Sequence, residues 1–87
     1  MKGRALVAWN LRRIRVNRGL SQERLAFDAS VDRSYVGGLE RQEENPTVDV
    51  LDRLAATLEV SISDLFKQPR KGAAHPKPLR RGRRPSK

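Results

Sequence analysis

The side chains that carry most nucleophilic and acid-base chemistry are scarce in this sequence. It has one histidine, His75, and no cysteine, so a catalytic dyad and a thiolate metal site both lack their usual groups. His75 stands between Ala74 and Pro76 in a terminal stretch without a single carboxylate; it reads as a solvated imidazole, not as a ligand or base. Gly37-Gly38 lies inside a helix-like segment, not at a strand-to-helix turn, and matches neither the phosphate loop nor the dinucleotide fingerprint. An enzyme is not expected, and neither a cofactor, a metal site nor a small-molecule ligand is evident. The abundant reactive feature is positive charge: 19 Lys and Arg face 10 Asp and Glu, a net charge of +9, which suits a polyanionic partner.

That charge is segregated. Residues 1–66 hold ten basic and ten acidic side chains, whereas residues 67–87 hold nine cations and no anion. Apolar residues divide at the same place, with 29 in the first 66 and only Ala73, Ala74 and Leu79 beyond. At 87 residues the chain has material for one core. The expectation is a folded domain over 1–66 and a flexible basic tail over 67–87 that has too little to bury. The absence of cysteine fits a reducing compartment, and a cytoplasmic, nucleoid-associated location is expected. No stretch approaches the roughly 18 apolar residues of a membrane span.

The body reads as all-α. Val7, Leu11 and Ile14 recur at the spacing of one helical face and Gly19 offers a stop, which places a first helix over about residues 4–18. Trp9 and Val16 fall on its other side, covered by the termini or part of an interface. Ser21 caps a short second helix, Gln22 to Ala29, with Leu25, Ala26 and Ala29 inward. Asp32 caps a third, running to Arg41 on a buried side of Val36 and Leu39. After the polar loop Gln42 to Pro46, Thr47 opens a fourth helix whose stripe is Val48, Leu51, Leu54, Ala55 and Leu58. Ser61 caps a fifth, with Ile62, Leu65 and Phe66. Helices 2 and 3, short and joined by a tight turn, have the proportions needed to insert a helix into the major groove, about 12 Å wide.

The residues in that region resemble a known family. Leu11-Arg12-Arg13-Ile14-Arg15, Gly19-Leu20-Ser21-Gln22, Leu25-Ala26, Arg33-Ser34-Tyr35-Val36, Leu39-Glu40-Arg41, Asn45-Pro46-Thr47 and Leu54-Ala55 follow the order and spacing of the Xre, Cro and phage-repressor helix-turn-helix domains. The resemblance implies a five-helix, lambda-repressor-like fold and a partner in double-stranded DNA. It implies that Gln22 meets a phosphate beside a helix N-terminus. Arg33 and Ser34 take the places of base-edge readers, an Arg suiting the two acceptors of guanine. Tyr35, Arg41 and Asn45 match backbone contacts. Gly38 stands where relatives often place a longer reading side chain, so that the helix could approach the groove closely. Arg15 and Glu40 match an ion pair between helices 1 and 3.

Some positions depart from the pattern. Ser30 occupies a turn position where relatives usually carry glycine and is expected to take up positive φ; Gln42 likewise replaces a common glycine. Glu43 and Glu44 put two negative charges in a loop that in relatives lies near phosphate. In the tail, Arg81-Gly82-Arg83-Arg84-Pro85 is similar to the core of a minor-groove hook, with Arg81, Arg83 and Arg84 as its contacts; a general phosphate-binding arm and a solubilising tail remain open alternatives. The family also implies a two-fold dimer on inverted half-sites, with Val60, Ile62, Leu65 and Phe66 of the last helix as the expected interface. The functional expectation is a sequence-specific transcriptional regulator, a repressor or autoregulator. Its alternative is an antitoxin or protein-interaction scaffold whose nucleic-acid binding is incidental and tail-driven.

Overall fold

The structure, a computed structural model, describes residues 2–69. Four α-helices follow one another: α1 (Gly3–Asn17), α2 (Gln22–Ala29), α3 (Arg33–Glu40) and α4 (Val48–Leu58), and a single 3-10 turn (Ile62–Phe66) closes the described chain. Three helix starts are set by local capping. Ser21 Oγ accepts from the Arg24 amide at 2.9 Å, an Asp32 carboxylate oxygen from the Ser34 amide at 3.1 Å and Thr47 Oγ1 from the Val50 amide at 3.1 Å, each satisfying a donor that the first turn leaves unpaired.

All four helices stop by the same device. A residue in the left-handed region follows each helix, Gly19 at φ 70, Ser30 at 60, Gln42 at 64 and Glu59 at 61. The next amide then bonds back across the last turn: Leu20 N to Arg15 O at 3.1 Å, Val31 N to Ala26 O at 2.9 Å, Glu43 N to Gly38 O at 2.8 Å and Val60 N to Ala55 O at 3.0 Å. These six-to-one bonds satisfy carbonyls that the helix ends leave open. Three of the four stops carry side chains, which costs on the order of 1 kcal/mol each relative to glycine.

The helices enclose one core. α1 contributes Val7, Leu11 and Ile14, α2 Leu25, Ala26 and Ala29, α3 Val36 and Leu39, α4 Leu51, Leu54, Ala55 and Leu58, and the 3-10 turn Leu65. α1 packs on α3 and on the 3-10 turn, while α2 packs on α3 and α4. Each fully buried Leu contributes roughly 1.5–3 kcal/mol of transfer free energy.

The structure corrects the sequence reading at four points. The segment after Ser61 is 3-10, so among the described residues there are four α-helices and not five. α3 ends at Glu40, with Arg41 already in the stop. Val48 is 66% exposed, because the first turn of α4 projects past the core that the rest of its stripe covers. Leu65 has no exposed surface and belongs to the domain's own core, so it is unavailable to the expected interface; Phe66 beside it is exposed. His75, Arg81, Arg83 and Arg84 lie outside the described residues.

One buried polar residue, Asn10, escaped the sequence reading. Its amide donates to Leu6 O at 3.0 Å, Leu65 O at 3.1 Å and Lys67 O at 2.9 Å, and its Oδ1 accepts from Arg13 Nη2 at 3.0 Å. Arg13 also lies over the Trp9 ring, 5.2 Å from its centroid. Asn10 thus binds the chain beyond the 3-10 turn to α1, and the polypeptide stays attached to the body one residue past the domain boundary expected after Phe66.

Candidate nucleic-acid interface

Two helices of eight residues each, α2 and α3, are joined by Ser30, Val31 and Asp32. The left-handed Ser30 turns the chain at once, and Ala26, only 1% exposed, provides a small side chain at the packed underside of the unit. Above it lies an open cleft of about 360 Å³ lined by Gln22, Glu23, Arg33, Ser34, Gly37 and Arg41. Four of the residues expected to face nucleic acid, Gln22, Arg33, Ser34 and Arg41, therefore share one surface. Tyr35, Gly38 and Asn45 do not line it.

Each of these four side chains is held by a carboxylate of the same molecule. Gln22 Nε2 donates to Glu40 Oε1 at 3.0 Å. Arg33 Nη1 reaches Glu23 Oε2 at 3.1 Å, with both side chains more than 70% exposed. Ser34 Oγ donates to the Asp32 carboxylate. Arg41 Nε meets Glu43 Oε1 at 3.1 Å, again between exposed side chains. The Asp32 carboxyl lies below its ordinary value of 3.8, first because of the Ser34 hydroxyl and then the Ser34 amide.

The two glycines of α3 serve these side chains. A Cβ on Gly37 would stand 3.1 Å from Arg41 Nη1 and 3.4 Å from Gln22 Oε1, so the bare backbone lets the Arg41 guanidinium lie across α3. A Cβ on Gly38 would stand 2.8 Å from Glu44 Cγ. Gly38 is buried beneath Glu44, a contact within the molecule at a position expected to approach DNA. Tyr35 is half-buried and packs against the core; burial raises its phenol pKa, and the nearby Glu44 charge adds to the shift. Asn45 is exposed in the loop between α3 and α4.

Behind the cleft, Arg15 and Glu40 form a two-bond pair. Arg15 Nε donates to Glu40 Oε2 at 2.6 Å and Nη2 to Oε1 at 2.9 Å, and Nη1 donates to Leu20 O at 2.8 Å. The side chains are 5% and 2% exposed. Glu40 accepts from α1 and α2 while sitting on α3, so one carboxylate ties three helices together.

Residues 11–65 match the family HTH_3, described as helix-turn-helix. The chain belongs to that family. Among its relatives, a hypothetical transcription factor of Neisseria meningitidis serogroup B is 41% identical over 66 residues, which make up 76% of this chain and 62% of the relative. The chain thus spans less than two thirds of that relative's length. The control protein C.SmaI of Serratia marcescens is 39% identical over 61 residues, 70% of this chain and 73% of that protein. Among solved structures, the restriction-modification controller protein C.AhdI from Aeromonas hydrophila superposes with a TM-score of 0.70 at 41% identity, over 72% of this chain and 96% of that one. Among the described residues no helix is long and apolar enough to cross a membrane.

Proposed function

We propose that this member of the helix-turn-helix family is a sequence-specific DNA-binding transcriptional regulator, a repressor or autoregulator that occupies an inverted-repeat operator as a dimer. The observation that carries the reading is the shared cleft: Gln22, Arg33, Ser34 and Arg41 line one open face of a two-helix unit, at positions the family uses to meet DNA. Arg33 and Ser34 then read base edges from the start of α3, while Gln22, Tyr35, Arg41 and Asn45 meet the sugar-phosphate backbone. Gly38, under Glu44, acts on the shape of the surface and not as a contact. The similarity to restriction-modification control proteins supports a small regulator whose output follows its own concentration.

With Leu65 in the core, the dimer surface narrows to Phe66, 43% exposed, with the half-buried Val60 and Ile62 beside it. The basic segment, with Arg81, Arg83 and Arg84, adds phosphate or minor-groove contacts. The test is selection of bound duplexes from a random library with the whole chain and with Arg33→Ala. One enriched inverted repeat, lost or relaxed at a guanine position in the variant, is the expected result. Enrichment of no motif would overturn the reading in favour of an interaction module with tail-driven, unspecific binding.

A further inference from the structure

The side-chain carboxylates are confined to one stretch of the chain. All ten lie from Glu23 to Asp64, with four cations among them, whereas residues 1–22 hold six cations and no anion. α1 with its flanking residues is therefore the basic element of a neutral body. Arg15 is engaged by Glu40 and Arg18 by Glu59, but Lys2, Arg4, Arg12 and Arg13 meet no carboxylate among the described residues. Ala5, Trp9, Arg12, Arg13 and Val16 follow at i, i+4, i+7, i+8 and i+11, the spacing of one helical face, and all five are only partly covered. The Arg13 guanidinium lies over the Trp9 ring. Nε of both Arg12 and Arg13 is covered without a hydrogen-bond partner. This strip is opposite the core-facing Val7, Leu11 and Ile14, and α1 itself stands behind the Arg15–Glu40 pair, so the strip turns away from the cleft.

The same helix holds the start of the other acid-free segment. Asn10 donates to Lys67 O at 2.9 Å while its Oδ1 accepts from Arg13, so the chain enters residues 67–87, with their nine cations and no anion, beside this strip. We propose that the outer face of α1, through Arg12, Arg13 and the Trp9 ring with Lys2 and Arg4 at its N-terminal end, is a second DNA-binding site: it takes the sugar-phosphate backbone of double-stranded DNA without regard to sequence and is separate from the cleft. A guanidinium with no anion of its own meets a phosphate without first losing a partner, whereas Arg33 and Arg41 each leave a carboxylate to do so. The indole adds a flat apolar surface against which a deoxyribose packs. A protein partner is the poorer fit, because the strip offers only Trp9 and Val16 as larger apolar groups and surrounds them with charge, the reverse of an interface core. A chain engaged through its cleft therefore still presents a phosphate-binding side to a further stretch of duplex.

Trp9 is the single tryptophan of the chain, so its emission reports on this strip. The test titrates the full chain and its Arg33→Ala, Arg12→Gln and Arg12→Lys variants with a labelled duplex of arbitrary sequence over a salt series, following Trp9 emission and duplex anisotropy together. Arg12 makes no hydrogen bond among the described residues, so its replacement leaves the contacts of Arg13 with Trp9 and Asn10 in place. The expected result is a change in Trp9 emission on duplex binding, equal in the full chain and in Arg33→Ala. Arg12→Gln should lower the salt slope by about 0.9, one phosphate fewer, and weaken binding about five- to tenfold at 0.1 M salt; Arg12→Lys should restore both. Duplex binding without a change in Trp9 emission, or a salt slope in Arg12→Gln equal to the parent's, overturns the proposal. So does a Trp9 response that vanishes in Arg33→Ala, which would place the event in the cleft, or a loss in Arg12→Lys as large as in Arg12→Gln, which would make Arg12 structural. Failure of the library selection to yield a motif would remove base reading by the cleft and leave this site standing.

Discussion

The molecule contains the same chemical pair in two settings. Behind the cleft, Arg15 and Glu40 meet at 2.6 Å with almost no exposed surface; at its open face, Arg33 meets Glu23 and Arg41 meets Glu43 at 3.1 Å in open solvent. Burial makes them different devices. The buried pair has given up its water, so each partner depends on the other and the three helices it joins cannot shift independently. The exposed pairs are screened and exchange readily with solvent or with a better anion. Rigidity and responsiveness thus come from one type of contact, separated by the thickness of a single helix.

The comparison breaks most sharply at Glu40. Glu40→Ala leaves the Arg15 guanidinium buried without its anion and is expected to cost on the order of 3–5 kcal/mol of stability, read as the shift in a denaturant unfolding midpoint. A loss under about 1 kcal/mol would show that the pair is not structurally required. Asn10 extends the buried network away from charge. Asn10→Ala removes the donors serving Leu65 O and Lys67 O and is expected to cost about 1–3 kcal/mol, with faster amide exchange in the 3-10 turn.

At the face, Arg33→Ala should leave stability within about 0.5 kcal/mol in the same unfolding experiment; a large loss would mean that the exposed pair is structural after all. The smallest effect concerns Asp32, whose folded carboxyl pKa is lowered from 3.8. A depressed carboxylate contributes stability that is complete above its unfolded value and fades as pH falls through the folded one. Asp32→Asn keeps a capping oxygen that does not titrate, so the variant should lose slightly less stability than the parent on acidification below pH 3.8.

Much of the fold was legible because capping residues and apolar spacing are local. Ser21, Asp32 and Thr47 marked their helix starts, and Leu25, Ala26 and Ala29 marked the inner face of α2. Val48 misled because the spacing of a stripe does not reveal where the neighbouring helix ends. The last segment misled because five residues of apolar spacing fit a 3-10 turn as well as an α-helix. Asn10 had a signal that went unused: it falls three residues after Val7 and four before Ile14, inside the apolar face. Gln22, Arg33, Ser34 and Arg41 were legible as a group through the family pattern, but their carboxylate partners were not. Glu23 and Arg33 lie ten residues apart on different helices, and only the α2–α3 packing brings them together.

The repeated helix stop has a consequence for how this surface can diversify. α3 is pinned at one end by the Asp32 cap and at the other by the left-handed Gln42 and the bond from the Glu43 amide to Gly38 O, and the helix between these two stops is eight residues long. Inserting or deleting one residue within that span would rotate everything beyond it by about 100°, turning Arg41 out of the cleft that it shares with Arg33. α3 is in this sense phase-locked: variants can exchange one side chain for another at a fixed angle, but they cannot lengthen the helix by a residue and keep the same face toward the cleft.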